Sequence, residues 1–107
     1  MYFSDWELHN DAKIGAWLLW EYNMDKFDWQ LMRGEVVERV IERGSKEDYY
    51  GMFNLYGGVK GVKQIIINDV PFLYPHDIAY VEALFNVKKE DLSCYKSQQL
   101  RRKLLAS

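Results

Sequence analysis

His9, His76 and Cys94 are the only histidines and the only cysteine in the chain, so any metal centre or thiol nucleophile would have to start from them. Metal sites need several such ligands at tight spacing, such as His pairs at i,i+4 or Cys-x-x-Cys. None is present, and no metal or cofactor is expected. A nucleophile pairing Cys94 with His9 or His76 has no flanking motif to support it, and a lone thiol is expected to be inert packing. His76-Asp77 follows Pro75 and reads as helix-start chemistry, where an acid suits the helix dipole. Glu35, Glu38 and Glu42 share one helix face and could do acid–base work if a pair were buried together. Interleaved with Arg39 and Arg43 opposite an apolar stripe, they read instead as a solvated charged face. Gly57-Gly58 and Gly61 belong to neither phosphate-cradling glycine motif, and read as helix punctuation. No constellation of a catalyst is legible, and the expectation is that the protein is not an enzyme.

The aromatic load is more informative: four Trp, eight Tyr and five Phe in 107 residues. A core of this size can take Trp17, Trp20, Trp29, Phe53 and Phe85. Trp6, Tyr49, Tyr50, Tyr74 and Tyr80 are then expected in part at the surface, where amphipathic rings anchor protein interfaces. They also suit stacking on single-stranded nucleic acid. The N-terminal aromatics have no interleaved Lys and Arg, so a protein partner is the stronger reading there.

These residues have to be positioned by helices. "DWQLMRGEVVERVIERG" places Asp28 as an N-cap, a stripe of Trp29, Met32, Val36, Val37, Val40 and Ile41, and Gly44 as a left-handed stop. Glu35 and Arg39 make an i,i+4 pair on the other face. Ser45 and Asp48 form a capping box, followed by Tyr49, Met52, Phe53 and Tyr56, and Gly57-Gly58 ends that helix. The two helices make a hairpin over 29–57. "VKGVKQIIIN" suits a helix better than a strand, although three isoleucines leave Val62–Ile67 open. "DVPFLYP" is a turn, with Pro75 at the first helical position before Ile78, Val81, Leu84 and Phe85. Ser97 could cap a basic final helix carrying Leu100, Leu104 and Leu105. At the front, Ser4 and Glu7 form a capping-box pair and "KIGAWLLW" is expected to be helical. Without sustained period-two alternation, the fold should be all-α, a bundle of about five short helices. Residues 1–95 make one domain and 96–107 a basic tail, helical or disordered.

The whole is 49% apolar and 28% charged, as in ordinary globular proteins. One cysteine allows no internal disulfide and points to a reducing compartment. The longest apolar run, Ile14–Trp20, is far short of the ~20 residues of a membrane span. Asp5, Glu7 and Asp11 stand where a signal peptide would be basic. A cytoplasmic, membrane-free protein is expected. Residues 1–58 hold 11 acids and 6 bases, a net of −5; residues 59–107 hold 5 acids and 8 bases, a net of +3. Lys96, Arg101, Arg102 and Lys103 could touch phosphates or an acidic partner. A helix-turn-helix over 59–86 has too long a turn, and its second helix offers no Arg or Lys to a base edge. Nucleic acid is therefore the second choice of partner.

"LLWEYNMDKFDWQLMRGEVVERVIERGSKEDYYGMFNLYG" and "VEALFNVKKEDLSCY" resemble a small bacterial family of unknown function. That family shows a Trp-acid pair, an Asp-Trp or Asp-Tyr helix start, an "ERV-x-ERG" helix, a "-ED-…-YG" helix and a closing "Phe-Asn-Ile-Pro-…-Cys-Tyr". The resemblance runs from Leu18 to Tyr95, with Lys88 where relatives have Pro, and leaves the first seventeen residues unmatched. Members are often encoded beside AbiEii-like nucleotidyltransferase toxins, which implies an accessory or antitoxin-like role and supplies no catalytic residues. The expected function is binding to a protein; the oligomeric state is left open.

Overall fold

Ser45 accepts from the Asp48 amide through its side chain while the Asp48 carboxylate accepts from the Ser45 amide, so the start of one helix is fixed by a reciprocal pair of bonds. The computed structural model describes residues 3–106, apart from the side chains of Gln98, Arg102 and Ala106. Five α-helices are described: α1 (Arg33–Arg43), α2 (Lys46–Tyr56), α3 (Gly58–Asn68), α4 (Pro75–Phe85) and α5 (Ser93–Ala106). Short 3-10 turns occupy Trp6–His9, Ala16–Leu19, Met24–Lys26 and Lys89–Asp91. No strand is present among the described residues. The all-α bundle and the helical hairpin are as expected, and Val62–Ile67 is helix.

α1, α2 and α3 pack against one another pairwise. Val36, Val37, Val40, Met52, Phe53, Val62 and Ile66 meet there with no exposed surface. Each contributes about 1.5–3 kcal/mol by leaving water. α4 closes the core with Ile78, Val81 and Phe85, and Val87, Leu92 and Cys94 complete it. Gly57 and Gly58 take left-handed backbone (φ 84° and 80°), letting α3 follow α2 without a linker. None of the described helices is long and apolar enough to cross a membrane.

Several helix ends differ from expectation. α1 begins at Arg33; Asp28 caps a preceding turn, its carboxylate accepting from the Gln30 and Leu31 amides, both at 3.0 Å. Trp29 is held outside the helix because its carbonyl accepts from the Tyr56 hydroxyl at 2.8 Å. Gly44 is extended (φ −69°, ψ 148°), not left-handed. A glycine is needed there for closeness, since a Cβ would lie 2.6 Å from the Val40 carbonyl oxygen. Ser4 does not cap the first turn, which starts after Asp5, and "KIGAWLLW" forms only the Ala16–Leu19 turn. α5 runs unbroken from Ser93, four residues before the expected Ser97 cap, so the basic stretch continues a helix whose first turn is packed.

Residues 3–15 lie antiparallel across α2 as a strap. Asp48, Gly51 and Asn54 are spaced by three along α2, and Gly58 lies just past its end. The Gly15 amide donates to Asp48 at 2.7 Å. At Gly51 the backbone of Lys13 and Ile14 comes so near that a Cβ would sit 2.5 Å from it. The Asn54 amide group donates to the His9 and Ala12 carbonyls at 2.7 and 3.1 Å. Trp6 covers Gly58, and Phe3 stacks on Tyr49 with ring centroids 4.7 Å apart.

Candidate protein-binding surface

The Ala16–Leu19 turn presents its side chains in two directions. In a 3-10 helix residues i and i+3 eclipse, so Trp17 and Trp20 share one side while Leu18 and Leu19 face away from them. Leu18 and Leu19 are buried; Trp17 and Trp20 are 57% and 78% exposed. This reverses the expectation that both indoles lie in the core. The reason is the short 3-10 turn, which points the leucines inward where a longer helix would have spread all four around its axis.

Arg39 of α1 fixes this turn from below. Its guanidinium donates to the Leu18 carbonyl at 2.9 Å and to the Glu21 carboxylate. The expected Glu35–Arg39 pair is therefore not formed, and Glu35 accepts from the Tyr22 hydroxyl instead. The hydrogen bond from Arg39 holds the Glu21 carboxyl below its usual range, and Glu35 raises the Tyr22 hydroxyl. The indoles thus project from a turn whose carbonyl and following side chain are both tied to a core helix. Such preorganisation lowers the cost of binding, and Trp is the residue most enriched among interface anchors.

The expected partner-binding residues divide. Tyr49 and Tyr50 are buried, 5% and 3% exposed, so their expected place at the surface is corrected. Tyr49 packs between Phe3 and Tyr80. Its hydroxyl is raised by burial, with Tyr80 and Asp77 adding to the effect. The Tyr50 hydroxyl donates to Asp5 at 2.7 Å, its ring stacks on His9, and that bond lowers the Asp5 carboxyl. Trp6 is half-buried against Phe53 and Gly58. Tyr74 and Tyr80 are 50% and 42% exposed. Tyr74 lies between Phe72, edge-on at 5.0 Å, and His76, stacked at 5.9 Å, forming a second aromatic patch at the start of α4. Lys96, Arg101 and Lys103 are exposed on α5, and the side chain of Arg102 lies outside the described residues.

The acidic face of α1 is not uniformly solvated. Glu38 is half-buried, and burial, Glu42 and Glu35 together push its carboxyl up to about 7, against the opposing pull of Arg39. Glu38 in turn adds to the burial that raises the Cys94 thiol. The sign of the linkage follows: the folded chain holds this proton more tightly than an unfolded one, whose value is the ordinary 4.5. The stabilisation is complete below about 4.5 and is lost as pH rises through about 7. Thermal unfolding between pH 5 and 8 should show the wild type losing stability with rising pH, while Glu38→Gln flattens that slope. At pH 8 Glu38→Gln should be about 1 kcal/mol the more stable, after discounting for solvent screening. Parallel slopes for the two proteins would refute the assignment to Glu38.

Apart from the aromatic patches, an open apolar cleft of about 380 Å³ lies beside the strap, lined by Ala12, Ile14, Trp29 and Leu55 among others. No group of three or more His, Cys, Asp or Glu is arranged for a metal among the described residues. Sequence reasoning passed over Trp17 and Trp20 as surface residues and Glu38 as a perturbed carboxyl. The i,i+3 spacing of the tryptophans around Leu18-Leu19 was the available signal for the first; for the second it was Glu35 and Glu42, one helical turn to either side of Glu38.

Neither a curated protein nor a solved structure matches this chain. Residues 16–66, just under half of it, match the model of a family of unknown function (DUF6922), a span that begins with the tryptophan-bearing turn and ends within α3.

Proposed function

We propose that the chain is a protein-binding module and not a catalyst, with Trp17 and Trp20 as its anchors. The observation that carries this reading is the exposure of two indoles, three residues apart on a turn clamped by Arg39. Two large apolar rings held in water by a rigid support are a standing cost unless a partner covers them. The resemblance to a family often encoded beside AbiEii-like nucleotidyltransferase toxins supports the finer reading, an accessory or antitoxin-like partner acting in the bacterial cytoplasm. A second reading, nucleic-acid binding, draws support from the exposed Lys96, Arg101 and Lys103 on α5.

The test is capture of partners by the tagged chain from its own host, in nuclease-treated and untreated halves, beside a Trp17→Ala/Trp20→Ala variant. A stoichiometric protein that survives nuclease and disappears in the variant is the expected result. Equal capture by the variant would sink the assignment of the anchors. Loss of bound material on nuclease treatment would favour the second reading.

A further inference from the structure

The packing of α5 stops early. Ser93 donates to the Asn68 carbonyl at 3.4 Å and Cys94 is 2% exposed, but from Lys96 onward every described side chain is exposed. The chain is correspondingly drawn out. Its longest extent is 50 Å and its radius of gyration 14.4 Å, against about 13 Å for a compact chain of this length. An unpacked helical segment shorter than ~12–15 residues is marginal in water, so this end of α5 gains by docking.

Its surface says what it would dock on. Leu100 and Leu104, one turn apart, are 59% and 66% exposed. At 100° per residue, Lys96 and Lys103 border them on one side and Arg101 on the other. The complementary surface lies on the same chain: the net −5 half carries exposed Trp17 and Trp20, followed by exposed Asp25 and Asp28, with the Glu21 carboxylate already paired to Arg39. Leucine methyls suit indole faces, and the flanking bases suit the acids. Pairing α5 with α5 would set like charges against each other, and a phosphate backbone would leave the leucines without apolar contact.

We infer that α5 of a second copy of this chain covers the Trp17–Trp20 turn, the two helices being exchanged about a twofold axis. The inference rests on reading that turn as a docking surface, and it names the occupant. Exchange makes the contact twice and closes the assembly, whereas one-way docking would propagate into open chains.

Sedimentation velocity on the nuclease-treated full chain, from ~5 to ~300 µM, tests it. A dimer with a Kd on the order of tens of µM is expected at low salt, with affinity falling about tenfold from ~50 to ~500 mM salt as the charges are screened. Arg101→Glu/Lys103→Glu and Trp17→Ala/Trp20→Ala should each weaken it at least ~10-fold, equivalent to about 1.4 kcal/mol. Every substituted residue is exposed, so unchanged circular dichroism serves as the folding control. A monomer throughout, a dimer untouched by either variant, or open-ended oligomers would each overturn the inference. A monomer whose capture of host protein still depends on the tryptophans would sink this inference alone and leave the protein-binding reading standing.

Discussion

Asp48→Ala is expected to lower unfolding stability by about 3 kcal/mol, seen in urea titration as a lower midpoint. Asp48 is 3% exposed and holds three donors. One carboxylate oxygen takes the Gly15 amide at 2.7 Å; the other takes the Ser45 amide at 2.8 Å and the Ser45 hydroxyl at 2.9 Å. Bonds to a charged acceptor are worth about 1.5–3 kcal/mol, and losing this one strands two backbone amides. It also removes half of the capping box, typically ~1 kcal/mol by itself. Asp48→Asn keeps one acceptor oxygen and should fall between. If Asp48→Ala cost no more than an exposed cap, the bond to Gly15 would have no energetic weight and the strap would be held by other contacts.

Gly51→Ala is expected to destabilise by about 2–3 kcal/mol, although helix propensity alone would favour alanine by up to ~1 kcal/mol. The clash decides the sign. The added methyl would sit 2.5 Å from the Ile14 nitrogen and the Lys13 carbonyl carbon and 2.8 Å from the Lys13 Cα, all backbone that no rotamer change can move aside. The strap must lift, straining the Gly15–Asp48 bond and the two bonds from Asn54. Urea titration would report the loss, and limited proteolysis should cut residues 3–15 faster in the variant. A variant more stable than wild type would show that propensity wins and that the strap shifts cheaply.

What could be read from the sequence follows from how local each cause is. The Ser45–Asp48 capping box, Pro75 at the start of α4 and the Gly57-Gly58 break are all decided within a few residues, and all are found. The start of α1 is not local, because Trp29 is held by Tyr56 of another helix. The strap was illegible for the same reason: residues 3–15 have no period of their own and take their path from the Asp48–Gly51–Asn54 face of α2. Among candidate binding residues, the hydroxyl of Tyr49 suggested the surface while its spacing with Met52, Phe53 and Tyr56 suggested the core. The spacing was the better guide, because Phe3 and Tyr80 supply rings around it. Trp17 and Trp20 misled in the other direction, since bulk alone says nothing about which way a short 3-10 turn faces. The charged neighbours of Glu38, namely Glu35, Arg39 and Glu42, lie on its own helix; the burial that adds to them is imposed by the rest of the fold, so its carboxyl read as one more solvated charge.

The strap precedes its own binding face in the order of synthesis. Its hydrogen bonds to α2 span 33 to 45 residues of chain, and the glycine beneath Trp6 is Gly58. At ~5–20 residues per second, roughly 2–9 s pass between translation of Gly15 and of Gly58. Until α2 has been made, Phe3 and Trp6 have no partner surface to cover them.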